Sequence, residues 1–228
     1  MKKWYPGSGF RQLNQTASIK LKIPILGSRN PPTHKLGYLN RRLTLLLWPR
    51  ILAAFHNWHR VDEQLFRSAQ IYGKYGSPLL RSHNIATLVN LRGANPRSSW
   101  YAPEISLCNE LNIQHFDHSV HSRRLPKQHT LLCLLETFNN APSPILIKCS
   151  GGSDRTSLAA SLFLINKYGM KSITQANRQI SFFPYLHLPR KHQQWIKHFP
   201  NYFASTHGGN SIFDWVKYSY SPEAFSSW

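Results

Sequence analysis

Residues 145–157 read Ile-Leu-Ile-Lys-Cys-Ser-Gly-Gly-Ser-Asp-Arg-Thr-Ser, and the succession of residue types in this stretch decides the fold. Three apolar residues, 145–147, read as a short buried strand. Two glycines then turn the chain. Residues 158–168 are strongly apolar and stop at Gly169, the pattern of a buried helix with its usual C-terminal residue. Cys149 therefore leaves a strand and Arg155 opens a helix, with five residues between them. Backbone N–H groups of such a loop converge in front of a helix N-terminus, an arrangement that favours a doubly charged oxyanion. Gly151 and Gly152 allow backbone angles and a close approach that larger residues would obstruct. Arg155 can clamp two anion oxygens with its planar guanidinium. The same positive field favours the thiolate of Cys149, which sets an ionised sulfur against the bound centre.

Outward from this unit, strand-like and helix-like segments alternate from about residue 61 onward, as in an α/β domain. Residues 85–91 and 113–116 read as strands. Residues 103–111 and 126–139 read as helices, the latter with Leu131, Leu132, Leu134, Leu135 and Phe138 spaced to bury one face. Further helices are expected over 172–180, 189–198 and 212–218. The predicted fold is α/β, a mostly parallel sheet of four to five strands flanked by helices, with the loop at the carboxyl end of a central strand. Phe213, Trp215, Tyr218, Tyr220, Phe225 and Trp228 are expected to cap the core.

The chain has 228 residues, 28 Lys and Arg against 9 Asp and Glu, a net charge of +19 and 7 Trp. A sequence 41% hydrophobic carries enough apolar surface to fold, which excludes a disordered basic tail. Cysteines at 108, 133 and 149 are too few for a disulfide scaffold. Cys108 and Cys133 read as buried fillers. The first acidic residue is Asp62, so residues 1–56 form a basic arm rich in Pro and Gly, followed by a domain over 57–228. Within the arm, the apolar run 43–55 is shorter than the roughly 20 residues of a bilayer span and is interrupted by Pro49-Arg50. Packing on the domain and peripheral contact with an anionic membrane are both open to it. No secretory signal is expected, so the chain reads as cytoplasmic with a membrane-peripheral option.

The spacing Cys149, five residues, Arg155, Thr156 resembles the signature of the cysteine-based protein tyrosine and dual-specificity phosphatases. Leu65-Phe66-Arg67-Ser68-Ala69-Gln70 and the strand ending Asn90-Leu91-Arg92-Gly93 are similar to motifs of the bacterial dual-specificity-like branch. The likeness covers roughly residues 57–220. It implies a phosphocysteine intermediate and neither metal nor cofactor. It further implies that the backbone N–H groups of Ser150, Gly151, Gly152, Ser153 and Asp154 hold phosphate oxygens with Arg155, and that the Thr156 hydroxyl meets the cysteine sulfur as it leaves. Relatives place a general acid about thirty residues before the cysteine; Asp117, 32 residues upstream after the strand ending at Phe116, fills that place. A strand-end residue paired with Arg123 or a histidine is its structural alternative. Arg67 and Arg92 match recurring arginines expected to be structural.

Three departures stand out. Lys148 replaces the family's usual His, which either loosens the loop or helps keep the thiolate ionised. Ser157 replaces a usual Gly. Asp154-Arg155 is similar to the pattern of myotubularin-like phosphoinositide phosphatases, and the Asp154 side chain is expected to point out of the cradle. His115, Asp117, His118 and His121 form the densest group of metal-ligating types, at a spacing poor for a tetrahedral site. The expected activity is phosphomonoester hydrolysis on a phosphorylated protein. A phosphoinositide or other phospholipid substrate at an anionic membrane, and a catalytically weak phosphate-binding module, are the alternatives. Charge alone argues for nucleic acid, without a recognition motif, so no specific nucleic acid is expected. Rhodanese-type sulfur transfer uses a shorter cysteine-to-arginine interval. A monomer is expected.

Overall fold

The computed structural model describes residue 54 and residues 56–228. The basic arm and its apolar run 43–55 otherwise lie outside the described residues. In chain order the elements are β1 (His59–Arg60), β2 (Leu65–Ser68), α1 (Gly73–Ser82), β3 (Thr87–Asn90), α2 (Tyr101–Glu110), β4 (Gln114–Asp117), α3 (Gln128–Asn140), β5 (Ile145–Lys148), α4 (Asp154–Tyr168), α5 (Ile173–Arg178), α6 (Trp195–Thr206), α7 (Ile212–Tyr218) and α8 (Pro222–Ser227). Short 3-10 turns span Gly169–Ser172 and Lys191–Gln193.

Strands run in the order β1-β2-β5-β3-β4. β2, β5, β3 and β4 are parallel, each joined to the next in sequence by a helix, while β1 pairs antiparallel with β2 through a tight turn. The sheet is thus mixed, with its one antiparallel strand at an edge. Strand parity sorts the side chains. Leu65, Val89, Ile145 and Ile147 face the larger core built with α3 to α8, whereas Phe66, Leu88 and Leu146 face a smaller core with α1 and α2. Both faces are covered, which is why β3 and β5 carry buried side chains throughout.

The central unit reads as expected: β5 leads through the loop into α4, whose residues 156–165 are all buried. Two helices and the C-terminal aromatic residues differ from the sequence reading. α1 contains Gly73, Gly76 and Pro78, helix-disfavouring residues that conceal it, yet a β-carbon at Gly76 would collide with Ile71, so glycine is what brings α1 against the strand exit. The helix expected over 189–198 starts later, at Trp195, and runs through Pro200, because Ile196, Phe199 and Phe203 keep one face buried beyond it. Of the C-terminal aromatics, Trp215, Tyr220 and Phe225 are buried and Tyr202 stacks on Phe225 at 4.4 Å, but Tyr218 and Trp228 are exposed. No helix among the described residues is long and apolar enough to cross a membrane.

Candidate active site

The parallel register sets Cys149 just past the carboxyl end of β5, between β2 and β3. Its side chain is buried, with 3% of the residue exposed, and joins the larger core. The loop that follows has its carbonyls tied from outside. Gln70 N donates to the Ser150 carbonyl (3.1 Å), Asn57 Nδ2 to that of Gly151 (3.1 Å), and Arg67 to that of Gly152 (3.0 Å). Peptide groups held by their carbonyls on one side present their N–H groups on the other. Among the described residues, the N–H groups of Ser150, Gly151, Gly152 and Ser153 find no acceptor. Four unpaired donors at the start of a fifteen-residue helix form a cradle for an anion.

Only one of the two glycines is required by this geometry. Gly152 sits at φ +69°, and a β-carbon there would lie 2.6 Å from Ala69 N and 2.7 Å from the Ser68 carbonyl carbon. Gly151 is exposed and a β-carbon would meet nothing nearer than Ser153 Oγ at 3.8 Å.

Arg155 is half-buried in the first turn of α4. Thr156, one residue on, is fully buried and its hydroxyl has no partner; an unpaired buried hydroxyl costs about 1–3 kcal/mol. The contact with the Cys149 sulfur implied by the resemblance is thus unmade here. Asp154 points away from the cradle, as expected: one oxygen accepts from Gln193 Nε2 (2.6 Å) and the other lies 3.5 Å from His187 Nε2. Gln193 also reaches Ser122 Oγ, and Trp195 donates to the Ser122 carbonyl, so the loop after β4 is joined to the start of α4.

Asp117 differs from expectation in place and partners. It is the last residue of β4 rather than the first of a loop, paired with Asn90 of β3, which in turn pairs with Lys148. Its carboxylate accepts from Asn90 Nδ2 (2.6 Å) and Tyr101 Oη (2.5 Å), with His115 Nδ1 at 3.9 Å. Tyr101, donating to Asp117, has its phenol pushed up to about 12. The partners are therefore an amide and a phenol, with one histidine nearby, and Arg123 is not among them. With one strand between them, the α-carbons of Lys148 and Asp117 are about 10 Å apart.

Two arginines brace the region. Arg67 is fully buried, donating to Gly152 O, Ser157 Oγ and both oxygens of Gln179, and it lies 3.9 Å from the Tyr185 ring centre. Burial lowers its guanidinium to about 10. Ser157, in place of the glycine that the resemblance implies, thus accepts a hydrogen bond from this arginine. Arg92 stacks on Trp100 (3.7 Å) and donates to Gln70 Oε1 (2.7 Å). Burial and then the charge of Arg155 lower its affinity for protons, while Tyr72, Cys149 and Glu104 oppose this.

Lys148 is the largest surprise. It points to the opposite face from Cys149, fully buried, with its ammonium 2.7 Å from Glu104 of α2 and 3.2 Å from Gln70 Oε1. Burial brings it down to about 8 against the upward pull of Glu104. Glu104 also meets Gln70 Nε2 and His115 Nε2 (3.1 Å), so a continuous polar group joins Lys148, Glu104, Gln70 and His115 beneath the cradle and reaches toward Asp117. His118 instead bonds Thr137, so the histidines of that stretch diverge. Cys108 is buried and its thiol pushed up to about 12, whereas Cys133 is only half-buried, 3.4 Å from His129 Nε2, and is no core filler.

No family model and no curated protein matches this chain. Solved structures do. PTPMT1 is 12% identical over 67% of this chain and 99% of its own, with a TM-score of 0.50. The core catalytic domain of the PP-IP phosphatase SIW14 from S. cerevisiae is 22% identical over 66% and 92%, with a TM-score of 0.49. P. aeruginosa TpbA is 20% identical over 57% and 75%, with a TM-score of 0.46. The fold of this chain is that of the cysteine-based dual-specificity-like phosphatases.

Proposed function

We propose that this chain is a cysteine-dependent phosphomonoesterase with its active centre in residues 149–156, borne by a domain over 57–228 that follows the arm 1–56. The observation that carries the reading is the cradle: four unpaired N–H groups, with the carbonyls of Ser150, Gly151 and Gly152 anchored outward, between a buried cysteine and an arginine in the first turn of α4. In the first step the Cys149 sulfur attacks phosphorus, a sulfur–phosphorus bond forms and the ester oxygen departs, taking a proton from Asp117. In the second, water gives a proton back to Asp117 and attacks phosphorus, and the sulfur leaves toward the Thr156 hydroxyl. Arg155 and the N–H groups of Ser150, Gly151, Gly152, Ser153 and Asp154 hold the equatorial oxygens throughout. The ends of β5 and β4 stand two strand spacings, about 10 Å, apart, and the leaving group would lie over the carboxyl edge of the sheet between them.

Steady-state hydrolysis of p-nitrophenyl phosphate and phenyl phosphate in EDTA tests this. Cys149→Ser should abolish turnover of both. Asp117→Asn should cut phenyl phosphate turnover about 10²–10⁴-fold and p-nitrophenyl phosphate turnover less, since p-nitrophenolate leaves without a proton. Equal losses on the two esters would remove Asp117 from the acid role, and retained activity in Cys149→Ser would end the thiol mechanism.

A further inference from the structure

The segment between α5 and the 3-10 turn at Lys191–Gln193 inverts the usual sorting of side chains. Across residues 185–189, Tyr185, His187 and Pro189 turn inward, while Leu186 and Leu188 turn to solvent at 58% and 76% exposure. Phe182 and Phe183, just before them, are 59% and 82% exposed. Every large exposed Phe and Leu among the described residues lies in this one loop. Leu186 is held at φ +56°, a backbone conformation that costs a leucine about 1–3 kcal/mol. Four large apolar side chains presented together are rare on a surface without a partner.

The inward residues fasten this loop to the cradle. The Tyr185 ring lies on Arg67, and its carbonyl accepts from the same Asn57 amide that holds Gly151 O. His187 faces Asp154 at the start of α4. The apolar tip therefore stands beside the cradle. Its electrostatic surroundings are one-sided: no acidic residue occurs between Asp154 and Asp214. Arg178, Arg190, Lys191 and Lys197 around the loop are exposed, and none forms an ion pair among the described residues.

We infer that the 182–188 loop seats the protein on an anionic lipid bilayer, with Phe183, Leu186 and Leu188 entering the headgroup boundary and the four cations meeting lipid phosphates. An apolar tip ringed by cations matches that surface, whereas a protein partner would have to supply both an apolar pocket and an acidic rim. Seating through a loop that shares the Asn57 amide with Gly151 and faces Asp154 brings the cradle to the plane of the headgroups. Resting on the phosphatase reading, this makes a lipid phosphomonoester the substrate class.

The test compares the full chain with Phe183→Ser/Leu188→Ser, two exposed positions whose replacement leaves the core alone; thermal melting checks the fold. Sedimentation with phosphatidylcholine vesicles with and without phosphatidylglycerol reads binding. The wild type should prefer the anionic vesicles, and the variant should need about tenfold more lipid or above. Phosphate release from phosphatidic acid in those vesicles should fall in parallel, with p-nitrophenyl phosphate turnover unchanged. Equal vesicle binding by the two proteins would assign the contact to the arm or to net charge and overturn the inference. Absence of vesicle binding, with a dimer in the wild type that dissociates in the variant, would put a second copy on the loop and overturn it as well. Loop-dependent vesicle binding by a chain that hydrolyses neither substrate would leave the seating in place and end the phosphatase reading instead.

Discussion

At the scale of the residue, the two loop glycines look interchangeable in sequence and are not so in space. Gly152 combines φ +69° with backbone atoms of Ser68 and Ala69 where a β-carbon would go, and Gly151 has open space. Gly152→Ala should therefore lose on the order of 3 kcal/mol in urea unfolding, through strain and collision together. Gly151→Ala should stay within about 0.5 kcal/mol of wild type. Equal effects would mean that β2 does not press on the loop as described. Lys148 carries a second prediction. It and Glu104 are both fully buried, so removing one leaves an uncompensated charge. Lys148→Met should cost about 3–5 kcal/mol. Adding Glu104→Gln should recover most of that loss, since the amide retains an oxygen for Gln70; a double variant no more stable than Lys148→Met would show the pair to be uncoupled. Of the two outcomes open for Lys148 in sequence, the geometry shows a residue locked to α2 rather than one facing the sulfur.

At the scale of the element, β2 matters more than its four residues announce. Arg67 reaches through the larger core to join β2, the loop, α4 and the end of α5. Arg67→Lys keeps the charge but cannot serve four acceptors from one planar group. We expect a loss of about 3 kcal/mol or more in chemical denaturation and weaker inhibition of turnover by inorganic phosphate. Unchanged phosphate inhibition would mean that the loop keeps its shape without the arginine.

The same contacts explain what could be read from the chain and what could not. The β5-loop-α4 unit was legible because its apolar strand, glycines and apolar helix are contiguous and each has a distinct pattern. β3, β4 and α3 followed from periodicity in the same way. α1 was hidden by Gly73, Gly76 and Pro78, whose fitness depends on Ile71 and the strand exit, contacts that local pattern does not carry. The place of Asp117 at a strand end follows from sequence, but its bonds to Asn90 and Tyr101 arise from strand pairing and a helix start. Glu104 carries a local signal: it lies three and four residues before Leu107 and Cys108 on the buried stripe of α2, where a carboxylate implies a buried cation. The exposed 182–188 loop reads as an ordinary apolar stretch in one dimension. Only the inward turn of Tyr185 and His187 reveals that its leucines face out.

For the whole molecule, burial of histidine sets the response to acid. Burial is the largest cause lowering the proton affinity of His59, His118 and His187, with Arg67 adding to it at His59 and at His187, while Asp117 opposes it at His118 and Asp154 at His187. An unfolded chain protonates these imidazoles as pH falls through about 6.5, whereas the folded chain does so only at lower pH. The unfolded state binds more protons in that window, so stability must fall as pH falls. Melting temperature should drop between about pH 7.5 and about pH 5.5, and His187→Gln should shrink the drop. A melting temperature that rises on acidification would contradict the burial of these rings. On the same scale, a net charge of +19 favours anionic partners through the field of the whole chain.

The most direct measurement is capture of the covalent intermediate: denaturant quench during turnover of p-nitrophenyl phosphate, followed by mass spectrometry of the peptide bearing Cys149. One phosphoryl group is expected on Cys149, accumulating to a larger fraction in Asp117→Asn, whose second step lacks its base, and absent in Cys149→Ser. Turnover with no phosphorylated Cys149 at any quench time, or with the phosphoryl group on another residue, would contradict the thiol mechanism.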